Sequence, residues 1–257
     1  MRAVILAGGR GSRLAPFTSV IPKPLLPVAD MPILEVIIRQ LAHAGFDHIT
    51  LTLGYMSSYF HAFVSQHRSL RRLARIDFVE EERPTGTAGS LASVPGLRNS
   101  FLVMNGDILT SLDYRALVAH HHAEDGLLTI GRHAKDFKVD LGVIHTDAAG
   151  HVIEYVEKPT LSYNVSMGIY VYREEVLEFI EPGEYLDFPS LVLRLLAAGK
   201  KVATYASTAR WLDLGRVEDL QNAAEIFSQA RAEFLPDPAT RDMRPQPRDR
   251  MFARDRR

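Results

Sequence analysis

The chain contains no cysteine. Disulfide staples, cysteine-based zinc sites and thiol nucleophiles are thereby excluded, and nothing about redox compartment follows. It also lacks a dominant charge: 30 Lys and Arg stand against 31 Asp and Glu, a formal net charge of −1. No global field draws such a chain to nucleic acid or to a membrane surface. No apolar run approaches the roughly 20 residues of a membrane span. The opening Met1-Arg2-Ala3-Val4-Ile5-Leu6 imitates a signal peptide only briefly, because the apolar stretch stops at Gly8-Gly9; a buried strand is expected there instead. What remains is an ordinary globular composition, 46% hydrophobic and 24% charged over 257 residues. That suits one large α/β domain with a sizeable core, and a cytoplasmic enzyme is the default expectation.

Hydrophobic patterning divides the chain by rhythm. Strands are expected at 4–7, 48–53, 76–80, 101–104 and 127–131, and helices at 32–44, 57–67, 87–93 and 113–122, with Asp30 a candidate helix cap. This strand–helix alternation argues for a mostly parallel sheet covered on both faces. After about residue 138 short strands succeed one another, at 142–145, 152–157 and 167–172, with Gly150 in a turn; an antiparallel part is expected. Helices at 174–180 and 188–198, a strand at 201–206 and a helix at 217–232 complete the pattern. From Pro236 onward the sequence is rich in Pro, Arg and Asp and nearly free of aliphatic residues. It cannot bury enough apolar surface to order itself, so 236–257 is expected to be a disordered Arg/Pro-rich tail behind one domain spanning 1–235.

The segment Leu6-Ala7-Gly8-Gly9-Arg10-Gly11-Ser12-Arg13-Leu14 follows the first strand, and Ile21-Pro22-Lys23-Pro24-Leu25-Leu26-Pro27 comes soon after. Glycines directly behind a buried strand let backbone amides approach a polyphosphate. Arg13 can fork onto phosphate oxygens, and Lys23 adds a point charge in a stiff Pro-Lys-Pro frame. No Gly-Lys-Ser/Thr ending is present, so this is not a P-loop, and the glycine spacing is not that of the dinucleotide fingerprint. His120-His121-His122 suggests a metal cluster, but consecutive helical positions point in different directions and cannot share one ion.

The stretch from Leu6 to Pro27 resembles the signature of the sugar-1-phosphate nucleotidyltransferases. The similarity continues through Gly86-Thr87-Ala88-Gly89-Ser90-Leu91, Asn105-Gly106-Asp107, Glu157-Lys158-Pro159, Met167-Gly168-Ile169-Tyr170 and Trp211-Leu212-Asp213-Leu214-Gly215. These motifs run in the family's order over about residues 1 to 230, and the later half is most similar to the mannose-1-phosphate guanylyltransferase-like branch. The resemblance implies a Rossmann-like nucleotide-diphospho-sugar transferase fold, with a nucleotide-binding part over 1–138 and a sugar-binding part over 139–235. It implies an NTP and a sugar 1-phosphate as partners, with neither nucleic acid nor membrane, and leaves a homo-oligomer open. It implies catalytic roles for Arg13, Lys23 and Asp107, and Mg²⁺ held by Asp107 and Asp213. Nucleotide contacts are expected from Leu6, Ala7, Gly8, Gly9, Gly11, Ser12 and Arg13, and from Gly86, Thr87, Ala88, Asn105 and Gly106. Lys158 resembles the lysine that contacts the sugar phosphate, and Glu157 the carboxylate that accepts from sugar hydroxyls. Gly142 and Gly168 would let backbone approach the sugar. Ser166 stands where family members often carry Asn.

The resemblance also bears on the base. Just before Gly86 lie Glu80, Glu81 and Glu82. Guanine presents two donors, N1–H and N2–H, and a carboxylate offers the matching pair of acceptors. In the thymidylyl branch a glutamine stands near this point, so Glu81 is the expected base reader and GTP the favoured nucleotide. Two other readings stand beside the enzyme: a non-catalytic regulator that senses a nucleotide or sugar phosphate, and a transferase acting on a cyclitol or other non-sugar phosphate. The intact set Arg13, Lys23, Asp107, Lys158 and Asp213, and a chain that ends soon after the last motif, weigh against the regulator.

Overall fold

The computed structural model describes residues 1–235; the expected tail lies outside the described residues. A seven-stranded sheet runs in the spatial order Val202–Ser207, Leu128–Lys138, Thr160–Arg173, Ser100–Asn105, Arg2–Leu6, His48–Leu53 and Arg75–Glu80. All neighbours are parallel except Thr160–Arg173, which is antiparallel to both of its partners. The first strand is buried on both faces, because its short apolar run has no polar alternation. Ala3 and Ile5 face one core, with Ile33, Ile37 and Leu41 of the helix Ile33–His43; Val4 faces the other, with Leu91, Phe101 and Tyr172. That strand pairs with Ser100–Asn105 on one side and His48–Leu53 on the other. The connection leaving Arg2–Leu6 leads to His48–Leu53 on one side, and the connection leaving Ser100–Asn105 leads toward Leu128–Lys138 on the other, so a crevice opens where strand order reverses.

Several local expectations are corrected. Asp30 does not cap the Ile33–His43 helix, whose N-cap is Pro32; its carboxylate pairs with Arg231 instead. Asp113 is the genuine cap, accepting from the amides of Arg115 (2.9 Å) and Ala116 (3.1 Å) at the start of Tyr114–Ala123. The helix expected at 174–180 is a 3₁₀ turn, Glu174–Phe179. The strands expected at 127–131 and 167–172 are much longer. Leu128–Lys138 and Thr160–Arg173 run out of the body as an exposed two-stranded ribbon, which ends near the hairpin of Val143–Thr146 and Val152–Val156. A ribbon solvated on both faces has no buried side to impose alternation, so its sequence carried no strand signal. No helix among the described residues is long and apolar enough to cross a membrane.

Candidate active site

The first strand ends at Leu6, and the glycine segment turns out of the sheet at its carboxyl edge. The Ala7 amide still donates to the Thr52 carbonyl (2.9 Å). Gly11 takes φ 60°, and a side chain there would meet Thr18 at 3.0 Å and Lys23 at 3.2 Å. The Gly11 carbonyl accepts from the Thr18 hydroxyl and from the Leu14 amide, both at 2.9 Å. A Cβ placed on Gly9 meets nothing within 4 Å, so that backbone faces open space. The loop is rigid where it touches protein and bare where it faces the crevice.

Across the loop stands an ion pair. Lys23 sits in the turn Lys23–Leu25, is only 7% exposed, and places Nζ on Oδ2 of Asp107. Asp107 is fixed by its neighbours: the Gly106 amide donates to the Leu6 carbonyl (2.9 Å), and a Cβ on Gly106 would lie 3.0 Å from that same oxygen. The other carboxylate oxygen, Oδ1, is buried without a hydrogen-bond partner among the described residues. The short strands Ile108–Thr110 and Trp211–Asp213 pair antiparallel with Asp213 opposite Ile108, which carries Asp213 to Asp107. Burial pushes the Asp213 carboxyl up from the ordinary range, the Asp107 charge adds to this, and Lys23 and Arg13 counter it. Arg13 also lies against Gly215, where an added Cβ would be 3.6 Å from its Nη1. Two carboxylates, one with an unused buried oxygen, form a donor set suited to a hard divalent cation that fills its remaining positions with phosphate oxygens and water.

Arg13, Lys23, Gly106 and Asp107 border a cavity of about 430 Å³; Asp213 is not among its lining residues. It is lined by Leu6, Ala7, Gly8, Gly9, Gly11, Ser12 and Arg13 of the loop, by Lys23, Asn105, Gly106 and Asp107, and by Glu81, Gly86 and Thr87. Of the three consecutive glutamates, only Glu81 lines it. Glu80 turns away to accept from Ser57 (3.0 Å) and to pair with His61 (2.8 Å). The Glu81 carboxylate accepts from the Thr85 hydroxyl, and burial raises its pKa against that hydrogen bond. Ala88, expected among the nucleotide contacts, is instead fully buried in the core, with its amide given to the Leu186 carbonyl (3.0 Å).

The residues expected at the sugar lie outside this cavity. Gly168 takes φ 71°, and a Cβ there would come within 2.7 Å of Asn105 Nδ2, so this turn is pressed against the nucleotide wall. Its register is held by the Trp211 indole N–H, which donates to the Met167 carbonyl (2.9 Å). The Ser166 hydroxyl donates to the Tyr170 hydroxyl (3.2 Å), and the Tyr170 ring stacks on Phe188 at 3.8 Å. Glu157 and Lys158 are exposed where the hairpin rejoins the ribbon, and Lys158 takes φ 46°. The Tyr155 hydroxyl donates to Glu157 (3.0 Å), and its ring occupies the space that a side chain at 142 would need. Thr52, Pro84, Ser90 and Tyr185 also line the cavity and were given no role from sequence. Only Ser90 stood inside a quoted motif.

A Rossmann-like sheet with a glycine loop, a lysine–aspartate pair and a second carboxylate at its switch point defines a nucleotide-handling enzyme. The nucleotidyl transferase family model matches residues 2–230, and the chain belongs to that family. It is 33% identical over 250 residues to a mannose-1-phosphate guanylyltransferase from Mycobacterium tuberculosis, covering 94% of this chain and 68% of that protein. It is 28% identical over 241 residues to a UTP–glucose-1-phosphate uridylyltransferase from Synechocystis, covering 87% of this chain and 62% of that protein. The chain thus spans about two thirds of the length of these relatives. Among solved structures, HddC from Yersinia pseudotuberculosis complexed with GMP-PN superposes with TM-score 0.67 at 26% identity, covering 88% of this chain and 99% of that one.

Proposed function

We propose that the protein joins an NTP, GTP by preference, to a sugar 1-phosphate, giving an NDP-sugar and pyrophosphate. The observation that carries this reading is one cavity lined by both the glycine loop and the Lys23–Asp107 pair, with Asp213 brought next to Asp107 by strand pairing. The amides of Gly8 to Ser12 and the cations of Arg13 and Lys23 would neutralise and align the triphosphate. A phosphate oxygen of the sugar phosphate attacks the α-phosphorus in line. The new P–O bond forms as the bond to the bridging oxygen breaks, and pyrophosphate leaves. Because both reactants are anionic, positioning and charge neutralisation supply the rate, and no covalent intermediate is needed. Asp107 and Asp213 would hold Mg²⁺, which when bound supplies positive charge at the α-phosphate. Glu81 would accept from guanine N1–H and N2–H. Mannose-, heptose- and glucose-type phosphates fit the reading equally, and a cyclitol phosphate is its alternative.

Run backwards, the reaction gives a direct check. Incubation with pyrophosphate, Mg²⁺ and GDP-mannose or another GDP-sugar should return GTP and a sugar 1-phosphate, separable by anion exchange. Recovery of GMP, or of no nucleotide product from any NDP-sugar, would contradict the proposal.

For the sugar side, Lys158→Ala should raise the KM for the sugar phosphate about ten- to a hundredfold, the equivalent of one hydrogen bond to a charged group. The KM for GTP should stay within about twofold, since Lys158 lies outside the nucleotide cavity. Steady-state kinetics with each substrate varied separately checks this. An unchanged sugar-phosphate KM would remove Lys158 from the site.

A further inference from the structure

Among the described residues, three buried side-chain polar atoms lack a hydrogen-bond partner: Asp107 Oδ1, Ser90 Oγ and His121 Nε2. Two of the three belong to residues lining the same cavity. The Asp107 oxygen is accounted for above as a cation ligand. The Ser90 hydroxyl is not. Ser90 is 1% exposed and begins the 3₁₀ turn Ser90–Ser93, directly behind the helical turn Gly86–Gly89. A hydroxyl withdrawn from water without a partner destabilises the free protein, and such groups persist where a ligand completes them.

Tyr185 supplies a second, independent observation. It is the one aromatic residue among those lining the cavity, and it is 69% exposed. Its exposure does not come from a loose loop. The adjacent Leu186 amide donates to the Thr85 carbonyl (2.8 Å), and the Leu186 carbonyl accepts from the amides of Ala88 (3.0 Å) and Gly89 (2.9 Å). The Phe188 amide donates to the Thr87 hydroxyl (2.8 Å). Gly86 and Gly89 have no room for a side chain because the backbone of Glu184 and Leu186 lies against them. The segment bearing Tyr185 is thus stapled to the segment bearing Glu81, Thr85 and Ser90. A large, mostly exposed ring is held in the cavity lining on a fixed backbone.

We propose that Ser90 and Tyr185 form, with Glu81, the wall that recognises the nucleoside of the NTP: Ser90 by a hydrogen bond to it, Tyr185 by packing its ring on it. The groups assigned above to the phosphates, among them Gly8, Gly9, Gly11, Ser12, Arg13 and Lys23, belong to other segments of the lining, and no residue expected at the sugar lines this cavity. A planar base suits an aromatic face, and a hydroxyl can both donate and accept. The inference rests on the reading of the cavity as an NTP site.

The test compares GTP with inorganic tripolyphosphate, which has the phosphates and lacks the nucleoside, by calorimetric titration of the full chain with Mg²⁺. Ser90→Ala and Tyr185→Ala should each weaken GTP binding about five- to thirtyfold, in the range of one hydrogen bond or one stacked ring. Tripolyphosphate affinity should not move, and Tyr185→Phe should bind GTP as the parent does. Ser90→Ala should unfold at the same temperature as the parent or higher, because it removes a hydroxyl that has no partner. Unchanged GTP affinity in both alanine variants, with the parent binding GTP, would overturn the inference and leave the NTP reading standing. So would an equal loss of tripolyphosphate, or a lowered unfolding temperature in Ser90→Ala, since either marks a structural role. A parent that binds tripolyphosphate but no NTP would overturn the underlying reading together with this inference.

Discussion

Asp107→Asn is expected to lower kcat roughly a hundred- to a thousandfold, the scale on which loss of a preorganised charged group acts on a transition state, while leaving the fold intact. The side chains are nearly isosteric. Lys23 Nζ donates to Oδ2 of Asp107, and an asparagine carbonyl in that place can still accept. What disappears is the negative charge and the second oxygen, Oδ1, which has no protein partner among the described residues. An amide nitrogen in its place cannot ligate a cation. Asp107→Ala provides the contrast. It leaves the 7% exposed Lys23 ammonium without its counter-charge, so this variant should also lose thermal stability. Activity and unfolding temperature measured on both variants separate the chemical role from the structural one. Retention of the parent kcat in Asp107→Asn would remove the metal assignment.

Glu81→Gln should change which base is accepted. In the parent, the Glu81 carboxylate accepts from the Thr85 hydroxyl and faces the cavity, while its neighbour Glu80 is tied to Ser57 and His61 outside it. Burial raises the Glu81 pKa in the free protein; the two donors of guanine would favour the ionised form and oppose that shift. An amide offers one acceptor and one donor. It leaves one guanine N–H unpaired and matches the N3–H and carbonyl edge of thymine or uracil. The kcat/KM for GTP should fall about ten- to a hundredfold, the effect expected from one unpaired buried donor, and the kcat/KM for dTTP or UTP should rise. The ratio of the two specificity constants is the measurement. An unchanged ratio would place base recognition elsewhere, in which case Ser90 and Tyr185 would carry it without Glu81.

The parts of this molecule legible in its sequence are those enforced locally. Gly11 had to be glycine because the chain there is left-handed and crowded by Thr18 and Lys23. The strand at 101–104 declared itself as an uninterrupted apolar run, because a strand covered on both faces favours apolar residues at every position; the strand at 48–53 showed instead as Ile49, Leu51 and Leu53 alternating with Thr50 and Thr52, although both threonines are buried. The juxtaposition of Asp107 and Asp213 was available only through the family resemblance. The pair that creates it, Ile108–Thr110 with Trp211–Asp213, is too short to show any period. Asp30 looked like a helix cap by residue type and position, yet its carboxylate went to Arg231, far along the chain. Ser90 and Tyr185 were invisible for a related reason. Whether a hydroxyl lacks a partner, or a ring stands free over a cavity, depends on what other segments bring near it. The ribbon of Leu128–Lys138 and Thr160–Arg173 outran its sequence signal because its outer half packs on nothing.

The most direct test of the central claim is a pyrophosphate-release assay with Mg²⁺ that crosses GTP, ATP, CTP, UTP and dTTP with mannose, glucose and heptose 1-phosphates. Release concentrated in the GTP row and dependent on one sugar phosphate is the predicted result, and it would name both substrates together. Release in the ATP row instead would contradict the reading of Glu81 as a guanine acceptor. Silence in every row, with nucleotide still bound, would contradict the enzyme itself and favour a regulator built on the same fold.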